Sequence, residues 1–362
     1  MGAIFLITVV NLQVFRLIFN FINLPDNIAG WLFSFLFQGL SLGLVPYLLY
    51  RAWIGKNNRD FLNDFKLSPK ISPYSYLIAI AIGFLVFYIN IGASSVWYLV
   101  LKIFGYTHTT SVGTIFSSPE VLVFELLATA VMPAIFEELV DRGLLLSVFS
   151  HEKNDKKVIL IIGFFFGFLH QNIAQFGPTV FGGIVMAYMA VKCRNIVPGM
   201  IVHFMNNAIL TLISYSSQTG GGLGRLYESF GAFYSSSFLL TLATWAAAIW
   251  LLVALLHTFE KINRKYREKS DPLPVEEIPQ KPAFVSPSAN NRVTWSDDYF
   301  YKIYGAPRNV EPKPAFVSIE PSQESVPARK TIARWWEYGL VYCAFLSAAL
   351  VTLFTFLWGI LR

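Results

Sequence analysis

Long apolar runs separated by short polar stretches set the pattern of this chain. They lie near 3–23, 28–50, 74–101, 119–149, 157–174, 178–192, 197–215, 232–257 and 337–361. A helix needs about 20 residues to cross a bilayer. The pattern therefore predicts an all-α, polytopic membrane bundle of about eight to nine transmembrane helices, the sixth being the shortest. Several starts are marked. Asp26 and Asn27 can cap the second helix, and Ser118-Pro119-Glu120 supplies a cap, a first-turn proline and an acid for the fourth. Between Thr258 and about residue 335 the sequence turns polar, charged and proline-bearing, the signature of an extended or disordered connector. The expected organisation is a membrane domain over 1–257, a cytoplasmic connector over 258–335, and a C-terminal transmembrane helix over 336–362.

Composition agrees with this reading. The 362 residues are 55% hydrophobic and 14% charged, which would leave a soluble fold with an apolar surface. The net charge of +6 raises nucleic acid as a partner, but the basic residues sit in loops and no nucleic-acid motif accompanies them. Arg51, Lys56, Arg59, Lys66 and Lys70 follow the second run. Lys153, Lys156 and Lys157 follow the fourth, Lys192 and Arg194 the sixth, and Lys261 to Lys269 the eighth. By the positive-inside rule the N-terminus is cytoplasmic, and the expected location is the cell membrane. The two cysteines, Cys193 and Cys343, offer neither a disulfide framework nor metal-ligand spacing. The connector repeats a motif, Lys-Pro-Ala-Phe-Val-Ser, at 281–286 and 313–318. This is either duplicated linker or a pair of docking segments, so a membrane-protein partner could be held through 258–362.

The fourth run contains Glu137, Glu138, Asp141 and Arg142 within Pro133-Ala-Ile-Phe-Glu-Glu-Leu-Val-Asp-Arg-Gly143. Ionisable residues at bilayer depth cost roughly 2.5 to 3.5 kcal/mol each on insertion scales, and they mark functional sites by default. On a regular helix Glu137 and Asp141 share one face, and Glu138 and Arg142 the next. Glu138 and Arg142 have the acid-before-base order of an ion pair, which leaves Glu137 to do chemistry. Pro133 lacks the N–H that would bond the Thr129 carbonyl, so the helix should kink and open backbone polarity there. In the fifth run Gly163, Gly167 and His170 recur on one face, which aims His170 at a helix seam. In the seventh, His203 and Asn207 stand four apart and can direct donors at one atom. Helix lengths allow all these groups a similar depth.

Glu137-Glu138-x-x-x-Arg142, Phe166-x-x-x-His170 and His203-x-x-x-Asn207 follow one another on successive runs. This ordered set resembles the CAAX protease and bacteriocin-processing family of intramembrane glutamic endopeptidases, also called the abortive-infection family, which includes the type II CAAX prenyl endopeptidases. The resemblance covers roughly residues 115–215. It implies that Glu137 and His170 activate water and that His203 and Asn207 stabilise the oxyanion, with Glu138, Arg142 and Phe166 in support. It also implies catalysis without a cofactor, and a membrane-associated peptide or protein as substrate. Asp141 departs from the family pattern, which has an aromatic or apolar residue before the Arg, and the chain from Thr258 onward exceeds the common core.

The residues by themselves leave alternatives open. Glu137, His170 and His203 are also a legitimate zinc set. No Gly-x-Ser-x-Gly or His-Glu-x-x-His motif offers another protease chemistry. A catalytically silent scaffold that binds a sensor kinase or cell-wall enzyme would use the same fold. A transporter with an intramembrane Glu-His relay is a third reading.

Overall fold

The computed structural model describes residues 1–19, 31–32, 34–55, 58–67, 70–107, 114–235, 237–270 and 335–361. Every regular element among them is helical. We number the helices α1 (Gly2–Phe19), α2 (residues 37–53), α3 (Asn58–Asp64), α4 (Tyr74–Ile103), α5 (Pro119–Val148), α6 (Asp155–Leu169), α7 (Ile173–Cys193), α8 (Val197–Gln218), α9 (Gly222–Ser235), α10 (Phe238–Ser270) and α11 (Trp335–Leu361). Among the described residues six of these, α4, α5, α7, α8, α10 and α11, are long and apolar enough to cross a membrane. Large apolar side chains such as Leu77 and Phe84 on α4, Trp250 on α10 and Leu350 and Phe354 on α11 remain exposed. In water they would be unpaid apolar surface; in lipid they face their own kind. The chain is an integral membrane protein built as a helical bundle.

Several boundaries differ from the hydropathy reading, each for a local reason. The fifth run stops at Leu169 and not near 174, because Gln171 takes a left-handed backbone, φ 49°, and reverses the chain. The sixth starts at Ile173 and not 178, because the Asn172 side chain accepts from the Ala174 N–H and caps it. Pro178 then lies inside α7, removing one main-chain bond. The helix α10 continues to Ser270, so residues 258–270 are helical and not connector. Short helices α3 and α9 occupy stretches read as loops. The repeat at 281–286 and 313–318 lies outside the described residues.

The compact unit formed by 1–271 and 333–362 has two recognisable ends. At one, the Met1 ammonium lies 3.4 Å from Glu337, Lys192 bridges Asp155 and Glu260 at 3.1 and 3.2 Å, and the Ile196 N–H donates to the Lys66 carbonyl. At the other, the Thr107 N–H donates to the Gly359 carbonyl and Gln218 donates to the Thr114 carbonyl. The basic loops thus gather at the first end. α11 folds back beside α1 and α6, with Phe345 against Phe165 and Phe168. The pair α6 and α7 is a tight hairpin: a Cβ on Gly183 would stand 2.8 Å from the Gly163 carbonyl oxygen, so only glycine permits that approach.

Candidate active site

The site starts from the irregular backbone of α5. Pro119 opens the helix, but i→i+5 bonding replaces regular turns at Leu127–Val131 and again at Leu139–Leu145. Such π-helical turns lie on both sides of Glu137 and Glu138, and they frequently accompany functional sites. The first coincides with the gap left by Pro133. The Thr129 carbonyl, which would accept from residue 133 in an α-helix, accepts instead from Asn207 Nδ2 at 2.8 Å.

Glu137, His170, His203 and Asn207 line one cavity of about 200 Å³. They come from α5, from the C-terminal end of α6, and from α8. Phe166, Pro133, Val86, Met186 and Val202 supply apolar wall, and Asn90, Asn206 and Thr179 supply further polar groups. The Glu137 side chain keeps 20% of its surface accessible, while His203 keeps 6%. Their facing atoms, Oε2 and Nε2, are 3.9 Å apart, close enough to share one water.

The two imidazoles are held from behind. His170 Nδ1 lies 2.9 Å from the Phe166 carbonyl. A carbonyl only accepts, so Nδ1 carries the proton and Nε2 is the ring's acceptor. His203 Nδ1 lies 3.2 Å from Glu138 Oε1, and the same rule puts a proton on that nitrogen. The Phe166 ring stands edge-on to both, its centroid 4.9 Å from that of His170 and 5.5 Å from that of His203.

Glu138 is in turn fixed by Arg142, which donates from Nη1 to Glu138 Oε1 at 2.7 Å and from Nη2 to the Gly183 carbonyl at 3.0 Å. The guanidinium carbon lies 4.3 Å from the Phe166 centroid, a cation–π contact. Glu138, Asp141 and Arg142 are fully buried. The ion pair therefore spans three helices, tying α5 to α7 by the Gly183 carbonyl and to α8 through His203.

Asp141 behaves differently from its helical-wheel position. It does not line the cavity with Glu137. Its Oδ2 lies 3.5 Å from Arg142 Nη1, and neither carboxylate oxygen has a hydrogen-bond partner among the described residues. Glu138 and Arg142, four apart across the same π-helical turn, do pair, so Asp141 is set apart from the cavity by its burial beside the guanidinium and not by its spacing. As to metal, no group of three or more His, Cys, Asp or Glu among the described residues is placed to hold an ion. Glu137, His170 and His203 line the same space without forming such a cluster.

Residues 119–209 match the family model of the Rce1-like type II CAAX prenyl endopeptidases. The matched region opens with the first residue of α5 and closes two residues past Asn207, so it contains Glu137, His170, His203 and Asn207 together with the supporting ion pair. No curated protein and no solved structure matches the chain. The matched region covers about a quarter of the length; α1 to α4 and α9 to α11 lie outside it. One cavity residue outside it escaped the sequence reading. Asn90 is a lone carboxamide in the long apolar run of α4, and a polar group at that depth was the available signal. Asn206 was hidden by its neighbour Asn207.

Proposed function

We propose that this protein is an intramembrane endopeptidase that cleaves a membrane-associated peptide or protein. The reading is carried by one observation: a carboxylate, two imidazoles and a carboxamide from three helices line a single cavity. In this reading Glu137, with His170 Nε2, takes a proton from a water held between them, and the water oxygen adds to the scissile carbonyl carbon. The carbonyl oxygen becomes an oxyanion, which accepts from Asn207 Nδ2 and from Nε2 of His203 in its doubly protonated form. The proton held by Glu137 then passes to the leaving nitrogen as the C–N bond breaks, and a carboxylic acid, which keeps the water's second proton, and an amine are released. Glu138 and Arg142 do not touch substrate; they orient His203. No metal enters this scheme.

The matched family also suggests a substrate class, a protein whose prenylated C-terminal segment reaches the cavity from the membrane. The end that gathers Lys66, Lys192 and Arg194 is assigned to the cytoplasm by the positive-inside rule, which puts the N-terminus there as well.

The test uses full-length protein in liposomes with a prenylated CAAX peptide and its unprenylated twin. Wild-type protein should cleave, and chelators should not reduce the rate. Glu137→Gln, His170→Ala and His203→Ala should each abolish turnover while the protein stays folded. Restoration of a deletion strain's phenotype by Glu137→Gln would favour a scaffold over an enzyme.

A further inference from the structure

Three carboxamides join the cavity to the main chain in one continuous line. Asn90 Nδ2 on α4 donates to Asn206 Oδ1 at 3.0 Å, Asn206 Nδ2 donates to Asn207 Oδ1 at 3.1 Å, and Asn207 Nδ2 donates to the Thr129 carbonyl at 2.8 Å. A carboxamide has one accepting and one donating end. Its orientation is therefore set by whichever neighbour cannot reverse roles. Here that neighbour is the Thr129 carbonyl, which can only accept and which Pro133 has deprived of its α-helical donor. Flipping Asn207 would set carbonyl against carbonyl on one side and amide against amide on the other. The line thus runs in one direction only, and its far end leaves Asn90 Oδ1 buried without a partner among the described residues, an uncommon state that natural folds rarely keep without reason.

We infer that Asn206 and Asn90 are positioning residues for Asn207: they hold its carboxamide with the Nδ2 hydrogens toward Thr129 and the cavity. Nδ2 has two hydrogens, so one secures the group and the other is available to an oxyanion. Without Asn206 donating to its Oδ1, Asn207 would be held by the Thr129 carbonyl alone and could swing its oxygen toward the cavity, repelling the charge it is meant to stabilise. The inference rests on the proposed endopeptidase reading. It adds that the oxyanion donor is preorganised by a line of amides reaching out of the matched region to α4.

The test is a mutant cycle in the liposome assay. Asn206→Leu should lower kcat roughly 10- to 100-fold, as expected when a catalytic group loses its orientation, with KM changed less than about twofold. Asn90→Leu should act in the same direction more weakly, since it is one link further away. In an Asn207→Ala background, Asn206→Leu should cost nothing more, because its effect passes through Asn207. Should Asn206→Leu fail to fold, Asn206→Asp keeps the shape and the acceptor and, when ionised, removes the donor; it should reproduce the loss of kcat. Wild-type kcat in the Asn206 variant, or full additivity with Asn207→Ala, overturns the inference while an inactive Glu137→Gln leaves the endopeptidase reading in place. Full activity of Glu137→Gln removes that reading, and the inference falls with it.

Discussion

At Arg142 one guanidinium meets the Glu138 carboxylate, the Gly183 carbonyl and the Phe166 ring, and each contact belongs to a different task. The carboxylate orients His203, the carbonyl holds α7, and the ring is the wall between the two histidines. Removing a single partner from a buried ion pair typically costs about 3–5 kcal/mol, because the other charge is left without compensation. Arg142→Met should therefore destabilise the protein by that amount, read as a lowered unfolding midpoint in detergent. Neutralising the carboxylates as well, in Glu138→Gln/Asp141→Asn/Arg142→Met, should recover most of the loss in midpoint. If the triple variant is no more stable than Arg142→Met, charge compensation is the wrong account. The pairing of Glu138 with Arg142 was legible from their four-residue spacing; the burial of Asp141 beside the same guanidinium, outside the cavity, was not, because it depends on what packs around α5.

Among the elements, the α6–α7 hairpin forms one wall of the candidate site. His170 sits at its tip, and the Gly183 carbonyl that receives Arg142 sits on its inner face, opposite Gly163. Gly183→Leu would need space already filled by the Gly163 carbonyl and the Phe166 Cβ, 2.8 and 3.0 Å from the added carbon. Overpacking of this kind costs about 1–3 kcal/mol. It should also move Phe166 and His170 together, so we expect kcat to fall at least about tenfold, more than the unfolding midpoint alone would suggest. Unchanged kcat in a folded Gly183→Leu protein would show that the hairpin has slack. The small-xxx-small spacing in α6 announced a close approach. Where the helices turned was decided by Gln171 and Asn172, whose backbone and capping roles hydropathy does not register.

Across the whole molecule, charge collects at one end and apolar surface around the middle. Lys66 lies at the charged end, half-buried, with its carbonyl bonded by the Ile196 N–H. Burial pushes its ammonium down from the ordinary 10.5 to about 8; Asp64 opposes the shift and Arg194 adds to it. A lysine whose pKa is lower folded than unfolded loses its proton first in the folded state. Between about pH 8 and 10.5 the unfolded chain then binds more protons, so Lys66 makes stability rise with pH across that window. Wild-type protein should gain unfolding midpoint over that range relative to Lys66→Met. Parallel midpoints of the two proteins would refute the assignment. At the same scale α11, remote in sequence, packs against α1 and α6, so deleting residues 335–362 should expose the Phe165 and Phe168 face of α6 and lower stability.

The amino-acid sequence alone determined that this chain is a helical membrane bundle, because lipid leaves a backbone few ways to satisfy its hydrogen bonds and apolar length is therefore a direct record of spans. It also marked the candidate site residues, since ionisable groups at that depth are costly. Tertiary structure alone decided how those residues are turned: the burial of Asp141 beside Arg142 and away from the cavity, the reversal after His170, and the amide line ending on Thr129. Each depends on which neighbouring helix offers a donor or a gap, and that is a property of packing and not of sequence order.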